Sequence, residues 1–194
     1  MKSLKMLGLT AISAMALMAV VAGSASATTL EVGGVTQNNA VTIESSLAAG
    51  STAILKDKNG TTNDTCTVSS TKGTTEKEFT GTWVGGKVSS LTFSGCTHTT
   101  HVLAPGSLFI DWTSKTNGTV KSSEAEVTVK STVFGVSAVC TTGAGTIIGT
   151  LTGVSSGHAT MDISATALDC HALGTSSWTG TYTVTSPTGL GVES

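Results

Sequence analysis

Trp178-Thr179-Gly180-Thr181-Tyr182-Thr183-Val184-Thr185 is the stretch that decides the fold class. Trp178, Gly180, Tyr182 and Val184 take one set of alternate positions and threonines take the other. In an extended chain this puts the larger side chains on one face and hydroxyls on the other. Thr and Val, branched at Cβ, lose rotamer freedom against a helical turn and fit a pleated sheet better. The stretch therefore reads as a half-buried strand. The same alternation recurs upstream: Met161, Ile163 and Ala165 against Asp162, Ser164 and Thr166; Val127 and Val129 against Thr128 and Lys130; Leu91 and Phe93 against Thr92 and Ser94. Leu108, Ile110 and Trp112 continue it, with Phe109 on the opposite side pointing to a strand covered on both faces or lying at an interface. Asn59-Gly60, Gly85-Gly86, Pro105-Gly106, Asn117-Gly118, Gly143 to Gly145 and Gly157 supply turn signals between these segments. The expected fold class is all-β, an antiparallel two-sheet sandwich of roughly ten to twelve strands with a barrel-like alternative.

Composition agrees with that reading. Of 194 residues 11% are charged and 4% aromatic, with 23 Gly, while Ser and Thr make up about a third. The start of the chain differs: Lys2 and Lys5, then an uncharged run from Met6 to Val21, then small residues through Ala25-Ser26-Ala27. These are the three regions of a secretory signal, with an apolar run shorter than the ~20 residues of a membrane span. The expectation is a signal peptide over 1–27, cleavage between Ala27 and Thr28, and a single secreted β domain over 28–194 with no membrane span of its own. That mature chain has eight Lys against twelve acidic residues, a net charge of −4, and no Arg. Nucleic-acid recognition relies on positive patches and on Arg, so that partner class is excluded.

The four cysteines are Cys66, Cys96, Cys140 and Cys170. An exported chain carries them into a compartment where disulfides persist. Three connectivities are possible, and the equal separation of 30 within each half favours Cys66 with Cys96 and Cys140 with Cys170. No Cys-x-x-Cys or Cys/His pair at ligand spacing supports zinc. A partial echo accompanies the spacing, since Gly81-Thr82-Trp83-Val84-Gly85 leads to Cys96 and Gly149-Thr150-Leu151-Thr152-Gly153 leads to Cys170. It suggests two related halves.

Ala53 to Asp57, Leu91 to Cys96, Thr132 to Cys140, Gly149 to Gly153 and Gly180 to Pro187 together resemble a family of exported, Thr-rich bacterial proteins, mainly actinobacterial. The resemblance covers nearly the whole mature chain and implies no catalytic or binding residues to carry over. In composition, length and signal the chain is also loosely similar to the secreted alkane-oxidation activator family.

Several groups could carry chemistry. Gly153-Val154-Ser155-Ser156-Gly157 matches a hydrolase nucleophile elbow, but that motif needs a strand turning into a helix and here both flanks are strands. It reads as a turn. His98 and His101 are the one local imidazole pair; a spacing of three puts them on opposite sides of a strand, so they read as a solvated loop after Cys96. His158 and His171 read as single surface or turn residues. Asp111 and Asp162 interrupt strands and could form a glycosidase-like carboxylate pair if they met, though both read as solvent-face residues. Asn59, Asn63 and Asn117 begin Asn-x-Thr triplets and read as turn residues. Trp83, Trp112, Trp178 and Tyr182 could stack on carbohydrate but suit the filling of a core built from small side chains. No cofactor is expected. The function expected is a non-catalytic extracellular or cell-surface protein with a structural, matrix or binding role, its partners a cell-envelope polymer or further copies of itself. A secreted hydrolase of extracellular polymer and a carrier of small apolar ligands are the alternatives. A cleft lined by two carboxylates would favour the hydrolase, and an enclosed apolar cavity the carrier.

Overall fold

A computed structural model describes residues 27–76, 81–130 and 137–194. The expected signal peptide, apart from Ala27, lies outside the described residues, as does part of the Thr132 to Cys140 run. Among the described residues fifteen strands form, more than the ten to twelve expected: β1 (Thr29–Val32), β2 (Val35–Thr36), β3 (Thr42–Leu47), β4 (Ala53–Lys56), β5 (Thr62–Thr75), β6 (Trp83–Cys96), β7 (Thr99–Ala104), β8 (Ser107–Ser114), β9 (Asn117–Ser123), β10 (Glu126–Lys130), β11 (Ser137–Thr141), β12 (Thr146–Thr152), β13 (Thr160–Asp169), β14 (Thr175–Ser186) and β15 (Leu190–Glu193). One 3-10 turn, His171–Leu173, interrupts them. No helix among the described residues is long and apolar enough to cross a membrane.

The all-β class is what forms, and every described pairing is antiparallel. β5, β6, β8, β9, β12, β13 and β14 pair in that order. The eighth position is shared by two short strands, because β3 bridges the ends of β14 and β5 over Glu44–Leu47 and Thr42–Ser46, and β4 bridges them further along. The ladder thus closes into a barrel. β11, β10 and β7 branch from β13 as outer strands through the pair Thr141↔Asp169. The sequence alternation sets the register: Met161 faces Tyr182, Ile163 faces Gly180 and Ala165 faces Trp178 across β13 and β14, so the apolar rows of both strands point to the same interior.

Two packed clusters result. In one, Leu30 of β1 and Leu190 and Val192 of β15 pack with Val84, Ile110, Val120 and Val184 of the barrel, so the small β15-β1-β2 sheet is seated on the barrel core. In the other, Leu55, Val129, Cys140, Ala165, Leu168 and Cys170 pack together. Both disulfides take the expected pairing, Cys66–Cys96 and Cys140–Cys170. The equal separations close unlike structures, however. Cys66 and Cys96 are register partners on neighbouring strands β5 and β6. Cys140 lies on β11 and Cys170 just after β13, with the whole of β12 between them in sequence. The two halves are therefore not a structural repeat.

Gly85 and Gly86, expected in a turn, lie inside β6. A Cβ on Gly86 would stand 2.5 Å from the carbonyl oxygen of Thr74, and one on Gly85 would meet the ring of Trp83. These glycines permit close approach within the sheet rather than a reversal of the chain.

Candidate functional site

The barrel interior is not filled to the centre. Between the two clusters lies a cavity of about 130 Å³, walled by Leu55, Val129, Ala165 and Leu168 on one side and Val120, Met161 and Tyr182 on the other. It exists because many inward positions carry small or medium side chains, Ala165, Val129, Val120, Val88 and Thr71 among them, which leave the centre unfilled. Leu91, Phe93, Pro105, Ala125 and Val127, all half-buried, form the part of the lining that solvent approaches. Among the described residues, no Asp, Glu, Lys or His lines this cavity.

Several of its polar side chains are already hydrogen-bonded. The Tyr182 hydroxyl bonds the Ser69 hydroxyl at 3.0 Å. Thr142 accepts the Ala125 N–H at 3.0 Å and lies 3.2 Å from Ser122. Burial pushes the Tyr182 hydroxyl above its ordinary value of 10.0, against the smaller opposing effect of the bond to Ser69. Trp178 also lines the cavity, its ring edge-on to Phe93 with centroids 4.9 Å apart. What such a lining can do chemically is exclude water and hold an apolar molecule. An engineered pocket of similar size, ~150 Å³ and lined by Leu, Ile and Phe, stays dry and takes up benzene.

The other candidates lie elsewhere. Ser155 is in the connection between β12 and β13, so the serine motif is a turn joining two antiparallel strands. Asp111 and Asp162 stand on the barrel's outer side in one cross-strand row, Asp111–Thr119–Thr150–Asp162. Three strand spacings separate them by roughly 14 Å, beyond the ~10 Å limit for a glycosidase pair. Asp111 pairs with Lys121, and Asp162 accepts the Thr181 hydroxyl at 2.9 Å. Of the aromatic residues, Tyr182 and Trp178 face the interior as expected of core residues. Trp83 and Trp112 are 39% and 37% exposed, and Trp83 packs edge-on against Phe109, so the outward Phe109 is explained by an aromatic neighbour on the same outer face. Thr28, the expected mature N-terminus, is buried; its hydroxyl donates to the Thr82 carbonyl and accepts the Trp112 N–H at 3.2 Å.

A second feature escaped the sequence reading. Asp64, wholly buried, accepts the N–H of Thr65 at 2.9 Å and of His98 at 3.0 Å, and the hydroxyls of Thr97 at 2.8 Å and Thr100 at 2.5 Å. His98 Nδ1 lies 3.8 Å from the same carboxylate. The His98 segment is thus a fastened turn rather than a solvated loop, while His101 sits exposed on β7. Asp64 also clusters with Cys66 and Cys96. Their disulfide leaves no thiolate to ligate a metal, and the carboxylate's hydrogen bonds give the cluster a structural role. Comparison with family models, with curated proteins and with solved structures finds no match.

Proposed function

We propose that this protein is a non-catalytic carrier of small apolar molecules, working outside the cytoplasm. The observation that carries the reading is the barrel cavity of about 130 Å³, lined mainly by apolar side chains and, among the described residues, by no charged one. Such a lining rejects ions and strongly polar solutes, which would leave their hydration behind with nothing to replace it, and accepts hydrocarbon. Two disulfides fit an oxidising compartment. Among the described residues, no carboxylate or imidazole base stands on the cavity wall beside its hydroxyl side chains.

Benzene is the probe that tests the reading. Titrated into the folded protein and followed by NMR, it should produce saturable shifts at the methyl groups of Val129, Ala165 and Leu168 and at the Trp178 indole. Ala165→Leu, which fills the cavity from its floor, and Ala125→Phe, which fills it from the rim, should each abolish the response while the fold persists. Shifts that never saturate, or that spread over surface residues, would overturn the reading.

A further inference from the structure

A second cavity of about 60 Å³ lies beside the first inside the same barrel. Thr71, Val88, Leu108 and Met161 line both, so the wall between them is one layer of side chains. Met161 is the unbranched member of that wall, and a methionine side chain re-packs more readily than Val or Leu. At the wall of the second cavity stands Ser45. It points inward from β3 between its register partners Thr71 and Val184, is 2% exposed, and its hydroxyl has no hydrogen-bond partner among the described residues. Buried hydroxyls are normally partnered, because leaving one unpaired forfeits its hydration.

Resting on the carrier reading, we infer that the ligand is an unbranched aliphatic molecule with one uncharged hydrogen-bonding end, an alcohol in type. Its chain lies in the first cavity, it passes Met161, and its hydroxyl pairs with Ser45. A serine hydroxyl both donates and accepts, as an alcohol does. A carboxylate end fits poorly, since Lys87, among the described residues the one cation bordering the second cavity, is exposed on the outer side of β6. A buried anion there has no counter-charge. Scaled from the benzene-sized pocket, the joined space accommodates roughly eight heavy atoms, close to the nine of 1-octanol, whose chain end lies toward the rim that solvent approaches.

The test compares 1-octanol, octanoate and benzene on the wild type, Ser45→Ala and Met161→Phe, with binding read by NMR titration. Octanol should bind the wild type more tightly than octanoate does. Ser45→Ala should weaken octanol about fivefold, the factor of one neutral hydrogen bond, and leave benzene, which occupies the first cavity alone, unchanged. Without ligand that variant should melt no lower than the wild type, because it removes an unpaired polar group. Met161→Phe, which stiffens the wall shared by both cavities, should weaken octanol more than it weakens benzene. An intermolecular NOE from the octanol C1 protons to Ser45 should locate the hydroxyl. Benzene binding without octanol binding, octanol affinity indifferent to Ser45→Ala, or octanoate binding as tightly as octanol would each overturn the inference while leaving the carrier reading intact. Failure of benzene and octanol alike would overturn both.

Discussion

Tyr182 is the single tyrosine of the chain, and its hydroxyl is buried against Ser69. Because burial raises its value above 10.0, the folded state resists ionisation longer than the unfolded state does. The contribution is fully present below pH 10 and is lost as pH rises from there through the higher folded value. The phenolate absorbance of the native protein should therefore rise late, and with it the melting temperature should fall. Tyr182→Phe should remove that alkaline loss relative to wild type, yet lower stability near neutrality by about 1 kcal/mol because Ser69 loses its partner. Phenolate formation in the native protein at the ordinary value would refute the burial argument. Asp64 makes the opposite kind of buried polar site, with two N–H and two hydroxyl donors converging on one carboxylate. Asp64→Ala removes the acceptor that the four share; Thr65 N–H keeps the Thr97 hydroxyl at 3.1 Å and Thr100 the His98 carbonyl at 3.4 Å, but the half-buried His98 N–H loses its partner, and denaturant unfolding should show a loss of about 3 kcal/mol. A loss under 1 kcal/mol would mean that water replaces the carboxylate freely. The sequence offered no sign of this network, since Asp64 and the Thr97–Thr100 segment meet only once β5 and β6 have paired.

At the scale of the elements, pairing joins the two ends of the described chain: Thr29 faces Glu193 and Glu31 faces Gly191 across β1 and β15. Glu31 is held above its ordinary 4.5, first by partial desolvation and then by the nearby charge of Glu193. A raised carboxyl works against the fold when ionised, so its favourable state is present below about pH 4.5 and is lost as pH rises through the folded value. Glu31→Gln should therefore raise the melting temperature slightly at pH 7 and change nothing at pH 4; an equal rise at both would refute the charge origin. Which strands form was legible wherever period-two alternation runs unbroken, as in β13 and β14. It failed where a bulge resets the phase. Val84, Gly86 and Val88 point inward along β6, and so do Leu91 and Phe93, because Lys72 and Gly73 of β5 face Ser90 and Val88 and leave Ser89 as an extra residue. One long strand then reads in sequence as two, with Gly85-Gly86 mistaken for a turn. β1 and β2, joined across Gly33-Gly34, are too short for alternation to show, and β15 lies too far along the chain for its pairing with β1 to be read.

For the whole molecule, the cavity depends on barrel closure, and closure is not a property of any one segment. Alternation identified Ala165, Val129 and Trp178 as inward-facing, but not that ten strands contribute to one space around them. The cysteines show the same gap between spacing and structure. Both loops are equal in length, so chain entropy assigns each disulfide a similar contribution, roughly 3 to 4 kcal/mol. Their places in the barrel differ. Cys66 and Cys96 cross-link two strands already joined along a long ladder, whereas Cys140 lines the cavity and its bridge ties β11 to the end of β13, where the single pair Thr141↔Asp169 otherwise connects them. Removing either bridge should therefore lower thermal stability by comparable amounts, while only one loss should reach the binding space. In Cys66→Ala/Cys96→Ala the cavity wall keeps its strands and benzene should bind as in the wild type. In Cys140→Ala/Cys170→Ala the outer strands β11 and β10 lose their anchor, the wall formed by Val127, Val129 and Cys140 loosens, and benzene affinity should fall several-fold at a temperature where both variants remain folded. Amide hydrogen exchange should rise along β10 and β11 in the second variant alone. Equal benzene affinity in the two would show that the β13–β11 edge is held by packing rather than by its disulfide.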